Sequence, residues 1–271
     1  MKTFTQIQQL KLGAILGRRD PRMLQLAHYL DQNALPEPMD NINWDTGSES
    51  CYRMRGNDKV GDCVVVAAHN FNEAAAHATG DPWKGAKTDD GAATMAIKDY
   101  SAVSGYDPAT GANDNGLDPE EFLKWASKHA GATKSGKIVA YGAVNRKDMK
   151  ECRQALEIFG NLYTALALPK TAQAEVGKVW TYHKLPTLSR IPNSWGGHMV
   201  SIRHIDATTS PERIWCVTWA KTQEMTREFF DHYCSATYFY ITEKWIADTT
   251  GKTPSGFDLP TLLADAKRLK A

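Results

Sequence analysis

The sequence predicts an α+β chain of two lobes, helices first and strands after, and three observations carry that prediction. Residues 35–136 contain the long helical segments free of Pro and Gly. Residues 137–248 contain short runs rich in Val, Ile, Tyr and Phe, bounded by turn residues. The 271 residues are enough for one large or two small lobes around a well-buried core.

Residues 1–34 read as an appended arm. Asp20-Pro21 is a helix start, with Asp as cap and Pro at the first helical position, and Met23, Leu24, Ala27 and Leu30 form an apolar stripe. The arm is expected either to clasp the body or to dock an assembly partner. Next comes Val64 to Ala78 (VVVAAHNFNEAAAHA), a helix expected to close at Gly80. Residues 91–103 give a second helix. The loop from Tyr106 to Gly116 is rich in Asp and Asn, but the twelfth position from Gly111 is Phe122 where an EF-hand needs Glu, so it reads as a plain polar loop. Asp118-Pro119-Glu120-Glu121 then caps a helix whose core side is Phe122, Trp125 and Ala126, with Glu121 placed for a capping box.

In the second lobe, strands are predicted over 138–144, 162–168, 198–205, 214–219 and 236–242. Asn145 is expected to cap a helix through Met149, Cys152, Leu156 and Phe159 that stops at Gly160. Met225 to Cys234 reads as a loop with core-facing aromatics. The tail, 249–271, has helical spacing in Leu259, Leu262, Leu263, Ala266 and Leu269, and is expected to pack on the body.

The chemistry centres on Cys63. It stands at the first turn of the Ala-rich helix, where unpaired N–H groups and the helix dipole favour a thiolate. A lone buried cysteine is more often structural, but a histidine follows in a suggestive setting, Trp195-Gly-Gly-His198. His198 lies 135 positions after Cys63, and papain-type enzymes carry their histidine about 130–150 residues downstream of the nucleophile. The stretch Asn57-Asp58-Lys59-Val60-Gly61-Asp62-Cys63-Val64 resembles, in register, the signature Gln-Gly-x-Cys-Gly-Ser-Cys-Trp of the papain-like cysteine peptidases. Other segments resemble that family in the same order. Leu35-Pro36 with Asn43-Trp44 looks like its opening, and Asn115-Gly116-Leu117-Asp118 like its Asn-Gly-Cys-x-Gly-Gly segment. Val217-Thr-Trp-Ala220, followed by Tyr238-Phe-Tyr-Ile241, looks like its ending. The resemblance covers roughly residues 35–245 and suggests a divergent bacterial or phage-type member.

The resemblance implies a papain-like fold, with a helical lobe facing an antiparallel β-barrel-like lobe and the site in the cleft between them. It implies Cys63 as nucleophile, His198 as its base and Asn57 at the oxyanion position. Aligned on Trp219, the orienting Asn of the family becomes Val217, and Thr218 is the nearest polar candidate. A literal Asn-Ser-Trp-Gly at Asn193 to Gly196 precedes His198 and reads as a decoy. Asp62 is expected to cap the helix. His69 is expected in the core, and His204 and Asp206 at the surface. The implied function is a cysteine hydrolase cleaving peptide or amide bonds, with a peptide or protein as substrate. The alternative is a non-catalytic module of the same fold serving as a phage virion structural, decoration or tail component.

Composition narrows the partners. A net charge of +1, from 32 basic and 31 acidic residues without a long basic run, argues against nucleic acid and anionic membranes. No apolar window approaches membrane-spanning length, and the N-terminus lacks a signal-peptide core. Five scattered cysteines suggest neither a disulfide framework nor a metal site, and no cofactor is implied. The expected setting is the cytoplasm or a virion.

Overall fold

The computed structural model of the chain describes residues 10–17, 20–29, 37–80, 83–131, 137–185, 187–242 and 245. The predicted helical tail and Leu30 of the arm lie outside these residues. Helix α1 is short, Leu26–Tyr29. Helix α2, Cys63–Thr79, is buried along nearly its whole length, which its alanines permit by letting neighbours approach the backbone, and it ends on Gly80 at φ 73°. Helix α3, Asp89–Ser104, opens with Thr88 Oγ1 accepting from the Gly91 N–H at 3.2 Å. Helix α4, Pro119–Ala126, is capped by Asp118, whose carboxylate accepts from the Glu120 N–H at 2.7 Å. Helix α5, Met149–Phe159, ends on Gly160 as expected, but its cap is Asp148, not Asn145. Asn145 instead begins the turn before the helix, its carbonyl accepting from the Asp148 N–H at 2.9 Å. Two short helices follow, α6 at Lys170–Ala174 and α7 at Arg227–Tyr233.

The strands are β1 Asn41–Asn43, β2 Ile138–Val144, β3 Leu162–Leu168, β4 Val179–Trp180, β5 Gly196–Asp206, β6 Arg213–Thr218, β7 Lys221–Thr226 and β8 Cys234–Thr242. They form one sheet in the order β2-β8-β3-β5-β6-β7-β4, with β1 paired to β5 beyond the end of β3. Every pairing is antiparallel except β4 with β7. The two-lobed α+β arrangement holds, but the expected barrel-like lobe is corrected: the sheet is open. Closure would need its two end strands to pair. The outer side of β2 is taken by the arm, through the Ala143 N–H donated to the Leu24 carbonyl at 2.7 Å, and β4 is only two residues long.

Two buried polar links fix the helical lobe to the sheet. Tyr163 Oη of β3 donates to the Val64 carbonyl in the first turn of α2, at 2.6 Å. Arg203 of β5, fully buried, donates to the Gly160 carbonyl at 3.1 Å, the Tyr52 hydroxyl at 3.1 Å and the Trp44 carbonyl at 2.5 Å. With Phe71 of α2 packed against Tyr240 and Trp245, these contacts hold the start of α2 against the middle of β5.

Candidate active site

The loop that delivers Cys63 is braced from behind. Asp114 Oδ1, in the polar loop after α3, accepts the Gly61 N–H at 2.9 Å and the Tyr100 hydroxyl at 3.0 Å. The Asp62 carbonyl accepts the first N–H groups of α2, from Val65 and Val66, but its carboxylate caps nothing. Both carboxylate oxygens are buried without a hydrogen-bond partner, against the expected capping role. Burial pushes this carboxyl well above the usual carboxylate range. The Asn57 amide acts against that shift, and the Asp114 and Asp58 charges add to it. Asn57, also buried, donates one amide N–H to the Val60 carbonyl at 3.1 Å.

The opposite wall is β5. The Met199 N–H points at Cys63 Sγ, 3.4 Å away, which sets the sulfur one residue from His198. His198 Nε2 lies 2.6 Å from Thr218 Oγ1 on β6, and Nδ1 is buried with no hydrogen-bond partner. The imidazole stacks on Trp219, centroids 4.4 Å apart and planes within 15°. Val217, where the family alignment puts the orienting Asn, packs with Cys51, Tyr52 and Ala74. Successive strand residues face opposite sides, so Thr218 faces the histidine and Val217 cannot. Burial drives Cys63 up to about 12 and His198 down to about 3, so the pair is an uncharged thiol and imidazole in this state. The N–H groups of Met199, Gly13 and Val64 favour the thiolate without offsetting that burial.

What buries the pair is the arm. Residues 10–17 run through the cleft as an extended segment bonded to both walls. Lys11 donates to the Asn57 carbonyl at 3.3 Å, and its own carbonyl accepts Trp219 Nε1 at 3.3 Å. Gly13 and Ala14 both donate to the Gly197 carbonyl, at 3.1 and 3.0 Å. On the other wall, Leu117 donates to the Gly13 carbonyl at 2.8 Å, and Ile15 donates to Leu117 at 3.0 Å. The fit needs glycine at several points. A Cβ on Gly13 would land in the Gly61 carbonyl, and one on Gly197 in the Ala14 carbonyl.

Of the residues singled out from sequence, Cys63, His198, Asn57 and Thr218 all line this one cleft. Asn193 lies exposed in a turn at φ 66°. His69 is buried, as expected, and bonds Asp99 at 2.9 Å. Sequence reasoning missed three contributors: Trp219 as a stacking partner, Asp114 as a brace, and the arm as the occupant. Gly13, Gly61, Gly116 and Gly197 were the signal for the occupant, since they mark where backbone meets backbone, and Gly196 makes room for the Leu12 side chain. Among the described residues, no group of three or more His, Cys, Asp or Glu is placed to hold a metal, and no helix is long and apolar enough to cross a membrane. The five cysteines are free and buried.

Compared with known proteins, the chain matches no family model and no curated protein. It does match solved structures. Xylellain, a cysteine protease from Xylella fastidiosa, superposes with a TM-score of 0.59 at 13% identity, over 86% of this chain and 97% of that one. The fold resembles that of the papain-like cysteine proteases. ProCathepsin B S9 from Trypanosoma congolense gives 0.57 at 10% identity over 89% of each chain. Digestive procathepsin L 3 from the Tenebrio molitor larval midgut gives 0.55 at 10% identity, over 88% of this chain and 77% of that one. At these identities the likeness is one of fold.

Proposed function

We propose that this chain is a papain-like cysteine hydrolase, held closed by its own arm. The observation that carries the reading is the set of contacts at His198: Nε2 is engaged by Thr218, Nδ1 is left without a partner, and the N–H of the next residue, Met199, meets Cys63 Sγ. A base needs that arrangement, with one nitrogen oriented and the other open to the nucleophile's proton. Thr218 takes the role the family gives to Asn. In the reaction, Nδ1 takes the thiol proton, Sγ attacks the acyl carbonyl, and the departing amine receives the proton. Water then releases the acyl group from the sulfur. The Cys63 N–H and the second N–H of the Asn57 amide would bind the oxyanion. One such donor is typically worth roughly 2.7–4 kcal/mol.

Closure by the arm follows from burial. While residues 10–17 fill the cleft, no ion pair forms and no substrate reaches Sγ. Two of the similar structures named above are also described as pro-forms. The test is the rate of Cys63 alkylation by iodoacetamide against pH, in the wild type and in two arm variants, Gly13→Val and Leu10→Asp. The wild type should label slowly at neutral pH. Both variants should label quickly, and their labelling should persist to pH about 5, well below a free thiol's value of about 8.5. His198→Ala in the variant background should remove that acid limb, and Thr218→Val should weaken it. Labelling of the opened chain that appears only near the ordinary thiol value would sink the hydrolase reading. It would leave the non-catalytic module, such as a virion component of a phage.

A further inference from the structure

A cavity of about 260 Å³ opens between the turn of residues 54–60 and the first half of α3. Neither β5 nor the arm contributes to its lining, so it is distinct from the cleft. Met54, Ala93 and Ile97 are half-buried and Val60 is buried, and together they form its apolar surface. The charged residues around them are of both signs. Asp89 is already engaged, its Oδ1 accepting from Arg53 Nη1 at 2.9 Å. Asp58, Asp90 and Lys59 make no ion pair among the described residues. Arg55 also lines the cavity and is 1% exposed. Its Nε donates to Asn70 Oδ1 at 2.7 Å and its Nη2 to Glu73, while Nη1 is buried without a hydrogen-bond partner. A buried donor in that state is costly unless something accepts from it.

We infer that this cavity binds a small apolar amino acid as its zwitterion, Asp58 and Asp90 taking the ammonium and Lys59 and Arg55 Nη1 the carboxylate. The side chain of the ligand lies on Met54, Val60, Ala93 and Ile97. The inference does not depend on the hydrolase reading. Three considerations narrow the ligand. The volume falls below the roughly 300–1,000 Å³ of pockets for drug-sized molecules, so the occupant is small. Carboxylates alone suit a metal ion or a simple amine. No group of three or more His, Cys, Asp or Glu among the described residues is placed to hold a metal, and an amine leaves Lys59 and Arg55 Nη1 unanswered. A purely ionic ligand leaves the apolar surface wet, whereas an aliphatic side chain covers it.

The experiment is titration calorimetry on the full chain with three ligands: L-leucine, N-acetyl-leucine, which lacks the cation, and isoamylamine, which lacks the carboxylate. Leucine should bind saturably. The other two should each bind about tenfold more weakly, the loss expected for one charge-assisted contact. The double variant Asp58→Asn, Asp90→Asn should weaken leucine by about tenfold or more. Lys59→Gln should weaken leucine and leave isoamylamine unchanged. These three side chains are exposed or half-buried, and thermal melts of the variants confirm that the fold is kept. Absence of saturable leucine binding would overturn the proposal, and so would equal binding of leucine and isoamylamine. Undiminished leucine binding in the double variant would put the amino acid elsewhere and overturn the site.

Discussion

Asp62 sits one residue before Cys63 with both carboxylate oxygens buried and without a hydrogen-bond partner, a state that burial tolerates only by keeping the group protonated. Its carboxyl is raised above the unfolded value of about 3.9. The unfolded chain therefore ionises first as pH rises, and stability falls from that value up to the raised folded one. Asp62→Asn removes the titration. The variant should be more stable than the wild type at pH 7, and the gain should shrink toward pH 4. Thermal melts of both chains at pH 4, 5.5 and 7 read this directly. A constant difference across the three would mean that Asp62 does not titrate differently in the fold.

The hairpin between β6 and β7 sets the histidine's surroundings. Its two central residues are Trp219 at φ 44° and Ala220 at φ 63°, both left-handed and neither glycine. The strain at Trp219 is held by the stack on His198, a tilted contact with Trp195 and the bond from Nε1 to the arm. Ala220 has no such compensation, and Ala220→Gly should stabilise the chain by up to about 1 kcal/mol. That is a rise of about 2–4 °C in unfolding temperature; a fall would mean that the turn pays nothing for its conformation. The same hairpin marks what sequence could and could not convey about the elements. Helix α2 and strands β2 and β3 were legible because apolar runs and end signals lie within each segment. Strand β7 (KTQEMT) has little apolar signal of its own and exists through its pairing with β6, and Met225 to Cys234, expected as a loop, instead forms the end of β7 and helix α7, capped by the Thr226 hydroxyl. Thr218 emerged only as the polar residue nearest a misplaced Val217, because the strand's facing is set by the turn. An open or closed sheet is legible nowhere in the strands, since it depends on what meets the edges of β2 and β4.

Across the whole molecule, the arm couples closure of the site to stability. It bonds both walls and buries Leu10 and Ala14 in the main core. Gly13→Val should therefore lower the unfolding temperature while raising the Cys63 labelling rate. If the arm only wrapped the body, the temperature would fall and labelling would stay as it was. Cys63 and His198 stood out as candidates by motif and spacing, and Asn57 by the family resemblance. The occupant could not, because each of its contacts joins positions far apart in the chain through backbone atoms that leave no side-chain pattern.

The arm is also a ligand on a tether, and that fixes the terms of competition for the cleft. A segment joined by a short flexible connection acts at an effective concentration of about millimolar. A free peptide of equal intrinsic affinity, present at about micromolar, would hold the cleft roughly one part in a thousand of the time. Raising the substrate level therefore opens few molecules. On the hydrolase reading proposed above, turnover would be governed by whatever severs or sequesters residues 10–17, switching with that event and responding only weakly to substrate supply.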